Sequence, residues 1–330
     1  MRYFHAAALA AGLLVLPAAS FAAAPAIDLP FEAFTLDNGL RVVVHEDRKA
    51  PLVAVSIWYH VGSKDEPIGK TGFAHLFEHL MFNGSENYDG EWFVPLDEVG
   101  ATDVNGTTWF DRTNYFQTAP TTALARILWL ESDRMGHLLG ALTKEKLDNQ
   151  RGVVQNEKRQ GDNQPYGRAE YSVLAGLLPA GHPYSHSTIG STADLDAASL
   201  DDVKNWFKEY YGAANTVLVL AGDIDAKTAR PLVEKYFGDI EAGPPLVRAL
   251  QNAPRLAVDK RETMYDRVPQ PRLDRNWVAP GRTTRDAVLL QLAAQILGGG
   301  KTSRLFQKLV YDLEIATNAS ASLQAQVDEL

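Results

Sequence analysis

His75, Glu78 and His79 stand close together in Gly72-Phe73-Ala74-His75-Leu76-Phe77-Glu78-His79-Leu80-Met81-Phe82-Asn83-Gly84. Their neighbours are apolar, and polar groups in an apolar run are costly without a partner. Wound as a helix at about 100° per residue, the three share one face within roughly 100° of arc. Two imidazoles four residues apart can then grip one metal ion, with a carboxylate beside them. Asn83-Gly84 marks the expected helix end. His-x-x-Glu-His reverses the commoner zinc-site order and is itself a zinc signature. A catalytic zinc centre uses three protein ligands and keeps one position open. A third ligand must therefore come from elsewhere in the chain.

The elements around this helix read as strands first and helices after. Thr35 to Val44 carries an Asn38-Gly39 turn between apolar runs, a hairpin signal, and Leu52 to Val61 is a second β-branched run. Further strands are expected near Ala101 to Thr108 and Asn114 to Thr118. Helices follow at Thr121 to Leu139 and Leu142 to Gln160, the second with Thr143 as N-cap. Ser199 to Tyr211 reads as helix, Asn215 to Ala221 as a buried strand, and Ala226 to Phe237 as helix. This is an α+β fold with helices packed on one sheet face. His182 and His186 are also four apart but straddle Pro183, which breaks helical facing, so they read as loop residues.

Gly243-Pro244-Pro245 opens an aperiodic stretch. Beyond it the pattern predicts a strand over Arg272 to Val278 and helices over Thr284 to Leu297 and Ser303 to Glu314. Gln291 to Leu297 sits in this second region much as His75 to Met81 sits in the first. Gln291 and Gln295 occupy the histidine positions and Ala294 the glutamate position, so this copy cannot bind zinc. The expected organisation is a signal peptide over 1–23, a zinc-binding unit over 28–242, a linker over 243–254 and a partial, inactive second unit over 255–330.

Composition narrows the function. The 330 residues are 45% hydrophobic and 22% charged, without cysteine, so metal ligands must be nitrogen or oxygen. A formal net charge of −9 with no basic cluster argues against nucleic acid as a partner. Arg2, the apolar run Ala6 to Ala19 and the small residues ending at Ala22 read as a secretory signal. The expected location is therefore periplasmic or secreted, with no integral membrane segment after signal cleavage.

The chain resembles the pitrilysin/insulinase family of zinc metallopeptidases, and within it the bacterial exported zinc proteases. The likeness rests on Gly72 to Phe82, on Val153-Val154-Gln155-Asn156-Glu157 and on Asn163-Gln164-Pro165-Tyr166-Gly167. It implies a mostly antiparallel sheet and one Zn²⁺ per chain, held by His75, His79 and Glu157, with Glu78 as general base. Many family members carry a glutamate seven residues before the third ligand, as an outer-shell group; here that position is Gln150. The resemblance also implies that Asn105, on Asp103 to Thr107, holds a peptide substrate added as an extra strand. The alternative is a turn asparagine beside Gly106. A second unit as large as the first would run past Leu330, so the chain reads as C-terminally truncated. The implied function is a zinc metalloendopeptidase acting on peptides or unfolded segments. The alternative is a non-catalytic or partner-dependent subunit of a pitrilysin-type heteromer, and the expected assembly is a homodimer or a pairing with a related subunit.

Overall fold

A computed structural model describes residues 28–247, 256–324 and 326. The expected signal, 1–23, and residues 248–254 of the expected linker lie outside the described residues. The chain divides into units 1–30 and 31–330. The described part of the first, 28–30, is exposed and without secondary structure, and the following account concerns the second.

Strands β1 (Glu32–Thr35), β2 (Arg41–Glu46) and β3 (Leu52–Tyr59) come first, followed by helices α1 (Phe73–Leu80) and α2 (Phe93–Asp97). Strands β4 (Thr102–Thr108) and β5 (Thr113–Pro120) lead into α3 (Leu124–Gly136), α4 (Lys144–Asn163), α5 (Ala169–Leu177), α6 (Thr192–Asp196) and α7 (Leu200–Tyr210). After β6 (Thr216–Gly222) come α8 (Ala226–Phe237) and α9 (Arg285–Gly298).

The strands form one sheet in the order β1-β2-β6-β3-β5-β4. Every pairing is antiparallel except β2 with β6. The Asn38-Gly39 turn forms as its residues require: Gly39 takes φ +88°, and Asn38 Nδ2 donates to the carbonyls of Phe237 and Ile240. Along β3 the buried residues alternate (Val53, Val55, Ile57, Tyr59), which is the period of a strand with one covered face. Leu76, Phe77 and Leu80 of α1, Ile127 and Leu128 of α3, and Val233 and Phe237 of α8 share that core with the strands. Helices cover the inner face, and Trp58 stands half-exposed on the outer one.

Three expectations differ in detail. Helix α1 ends at Leu80, before Asn83-Gly84, because Asn83 Nδ2 takes the His79 carbonyl at 2.8 Å and the chain reverses at Gly84, φ +90°. Arg272 to Val278 forms no strand, since no neighbouring strand takes up its backbone groups among the described residues. Ser303 to Glu314 is a short turn of helix, Arg304–Phe306, continued as a π-helix over Gln307–Asp312.

A buried ion pair ties α3 to the loop that follows α1. Arg134 donates to Glu131 at 2.6 and 2.8 Å, Gln117 of β5 donates to the same carboxylate at 2.9 Å, and both charged side chains are fully buried. The Arg134 guanidinium lies 4.0 Å from the Trp92 ring centre and 4.2 Å from that of Tyr115. Next to it, Asp133 accepts from Ser85 Oγ and from the Asn87 backbone at 3.2 Å. Removing one partner of a buried pair leaves an uncompensated charge. Arg134→Ala should therefore destabilise the fold by about 3–5 kcal/mol in denaturant titration; a loss below about 1 kcal/mol would show that Glu131 is otherwise satisfied.

Candidate active site

Helix α1 begins without a side-chain N-cap. Gly72 precedes it at φ +93°, where a Cβ would lie 2.8 Å from the Ile189 carbonyl. The Ala74 N–H of its first turn and the N–H groups of Gly72 and Thr71 just before it are satisfied by remote carboxylates. The Glu66 carboxylate accepts from Gly72 N at 2.9 Å and Ala74 N at 2.8 Å, and Asp194 accepts from Thr71 N at 2.9 Å and Thr71 Oγ1 at 2.6 Å. Burial pushes the Glu66 carboxyl up, against the pull of those two N–H groups. His186 of the loop before α6 stands with Nδ1 3.6 Å from Glu66.

With the helix so held, His75 and His79 turn the same way, their Nε2 atoms 3.3 Å apart. Glu157 arrives from the middle of α4, which packs on α1, with Oε2 at 3.6 Å from His75 Nε2 and 3.5 Å from His79 Nε2. In a tetrahedron each edge is about 1.6 times the bond length, so edges of 3.3–3.6 Å match bonds of about 2.0–2.2 Å. That is the range for zinc with imidazole and carboxylate ligands. Among the described residues this is the one group of three or more potential ligands drawn together in this way. The residues present fit the metal that the sequence pattern implies.

Glu78 is the most enclosed of the four, at 8% exposure. Its Oε2 accepts from Thr108 Oγ1 of β4 at 2.5 Å. Burial pushes its carboxyl up to about 7; Thr108 and the positive charge of Arg112 oppose the rise, and the negative charge of Glu157 adds to it. Burial, with the neighbouring His79 charge, pushes His75 down to about 4, so that imidazole is neutral at pH 7 with a lone pair to give. The group is chemically matched to metal binding plus one proton acceptor.

Gln150 and Asn105 lie farther from the ligand atoms. Gln150 Nε2 donates to Asn83 Oδ1 at 3.2 Å, and Asn83 in turn holds the His79 carbonyl. Gln150 therefore touches the backbone end of α1 through Asn83. Asn105 is exposed on β4, the outer strand of the sheet, beside a bulge in which Asp103 takes φ +55°. Its Oδ1 accepts from Gly106 N at 2.9 Å. His182 and His186 lie in the loop before α6, as expected.

Glu66, Asp194 and Thr108 are missed by the pattern that reveals the histidines. The one local signal was the absence of a capping side chain at Gly72, which leaves first-turn donors in need of remote acceptors.

The chain matches two family models: Insulinase (Peptidase family M16) over residues 41–178, and the Peptidase M16 inactive domain over 197–328. It is 30% identical over 311 residues to the zinc protease PqqE of Helicobacter pylori, covering 89% of this chain and 67% of that protein. A protease from Helicobacter pylori of known crystal structure superposes with a TM-score of 0.75 at 27% identity, over 91% of this chain and 73% of that one. The periplasmic protease PqqL from Escherichia coli shares the fold, with a TM-score of 0.63 at 24% identity over 69% of this chain and 26% of its own.

The shift at Glu78 has a consequence for stability. A carboxyl whose pKa rises from 4.5 to about 7 on folding binds its proton more tightly in the fold. Its contribution is favourable at low pH and is lost as pH rises through about 7. Metal-free Glu78→Gln should therefore be more stable than the metal-free parent at pH 8, by up to about 3 kcal/mol, with the gap closing toward about pH 5. Identical unfolding curves at pH 8 would contradict a buried, costly carboxylate.

Proposed function

The chain belongs to the insulinase family, peptidase family M16, and on that footing we propose that it is a zinc-dependent metalloendopeptidase acting on peptides or unfolded segments. The observation that carries this reading is the triangle of His75 Nε2, His79 Nε2 and Glu157 Oε2 at 3.3–3.6 Å, with the buried Glu78 on the same helix. His75, His79 and Glu157 hold the zinc. When bound, it supplies positive charge that lowers the pKa of water and polarises a carbonyl.

Glu78 takes the proton of the attacking water and delivers it to the leaving amine. It serves as a base because it is not spent as a ligand, and its placement near neutral pKa suits it to both transfers. The exposed edge of β4 receives the substrate backbone as an added strand, with Asn105 at its margin. Gln150 supports the His79 end of α1 through Asn83 without bringing charge.

Residues 28–242 form the catalytic unit, and 255–330 belong to a related unit without ligands. The apolar start of the sequence supports export, to the periplasm or beyond the cell. It agrees with PqqL, a neighbour described as periplasmic. Among the described residues no helix is long and apolar enough to cross a membrane. A second reading is a partner-dependent subunit. The match to the inactive-domain model over 197–328 favours it, as does the apolar surface of α9, where Leu289 is 52% and Leu292 59% exposed.

Purified protein should carry one zinc per chain and cleave a quenched peptide in a chelator-sensitive manner. Glu78→Gln should keep the zinc and lose activity by a factor of at least about 10². His79→Ala should lose the zinc, and full metal content in that variant would remove His79 from the ligand set. Zinc without cleavage in the parent would favour the partner-dependent reading.

A further inference from the structure

Glu78 projects from α1 and is buried, at 8% exposure, so its carboxylate depends on its protein neighbours for its orientation. Its Oε2 accepts a hydrogen bond from Thr108 Oγ1, the last residue of β4. An ionised carboxylate only accepts, so the hydroxyl donates. Threonine suits this task because its branched Cβ restricts χ1, which aims the donor.

Thr108 is itself firmly seated. It pairs with Thr113 across β4 and β5, and Thr113 Oγ1 donates to the Val61 carbonyl at 2.9 Å. Trp109 N donates to the Arg112 carbonyl at 2.9 Å, and Arg112 Nη1 donates to the Thr107 carbonyl at 2.9 Å. Three residues earlier on the same strand lies Asn105, at the open sheet edge.

We propose that Thr108 is a positioning residue, which holds the Glu78 carboxylate toward the His75–His79 pair from the strand that receives the substrate. The proposal rests on the peptidase reading and adds to it a link between the sheet edge and the base. A peptide pairing along β4 acts on the same backbone that carries the Thr108 hydroxyl. Seating of the substrate and aim of the base are thus set by one strand. The hydroxyl leaves the zinc ligands themselves untouched.

The test compares Thr108→Val, which keeps shape and removes the donor, with Thr108→Ser, which restores it. Thr108→Val should lower kcat about 10- to 100-fold, the scale of one hydrogen bond to a charged group, with KM within about twofold. Zinc content and melting temperature should match the parent, and Thr108→Ser should recover most of kcat. Crystal structures of the metal-free variants give a readout independent of activity: Glu78 should leave its place in Thr108→Val and keep it in Thr108→Ser. An unmoved Glu78 in Thr108→Val, an unchanged kcat, or equal losses in both variants would overturn the proposal. A parent without zinc-dependent cleavage would overturn the peptidase reading, and the metal-free structures would then decide the positioning role alone. Should Thr108→Val not fold, Thr108→Ala takes its place.

Discussion

The packing of α1 against α4 is the contact on which the rest of the site depends. It brings Glu157 Oε2 within 3.6 Å of two imidazole nitrogens that α1 already holds 3.3 Å apart. Helical geometry alone fixes the histidine pair, since residues four apart lie on one face. The third group is fixed only by how two helices meet, and a shift of one residue in that packing would carry Glu157 away from the pair. The sheet, the core under α1 and the Arg134 pair behind the following loop all serve to hold that meeting in place.

Holding a polar helix against an apolar core has a cost, and the structure distributes it. Glu66 and Asp194 satisfy the N-terminal end of α1, and Asn83 takes the His79 carbonyl at its other end. Between them, His75 and Glu78 are displaced in pKa in opposite senses, one to about 4 and the other to about 7. Burial is the leading cause of both, because it disfavours whichever form is charged. Both displacements suit the proposed chemistry: a neutral imidazole binds metal, and a carboxylate near neutral pKa accepts and returns a proton. Stability and function pull apart at this helix.

The β4–β5 hairpin joins the two tasks proposed for it: its outer strand lies at the sheet margin, and the end of that strand touches Glu78 on α1. Gly106 lies between them because a Cβ there would come within 2.9–3.0 Å of Phe82 and Tyr115. The loop after α1 and strand β4 are therefore packed directly on one another. The strand order places β4 at the margin of the sheet, where among the described residues its outer hydrogen-bonding groups are paired with no other strand.

How much of this was legible without coordinates follows from the range of each interaction. The longer helices and the strands of residues 32–237 were readable because period, capping and turn residues act locally; Thr143 and Asn38-Gly39 are examples, whereas the five-residue helices α2 and α6 are too short to show a period. His75, Glu78 and His79 were readable for the same reason. Glu157 was named through likeness to a family, and as a lone helix carboxylate it carried no signal of its own. The expected strand over Arg272 to Val278 failed because a strand needs a neighbour, which propensity does not supply. Glu66, Asp194 and Thr108 were not legible, and Gln150 was readable only as a position, without its contact to Asn83. The sequence by itself determined that His75 and His79 could share a metal on one helix face with Glu78 beside them. Only the tertiary structure decided which of them meet and how deeply they are buried, because long-range packing and desolvation depend on the whole folded chain.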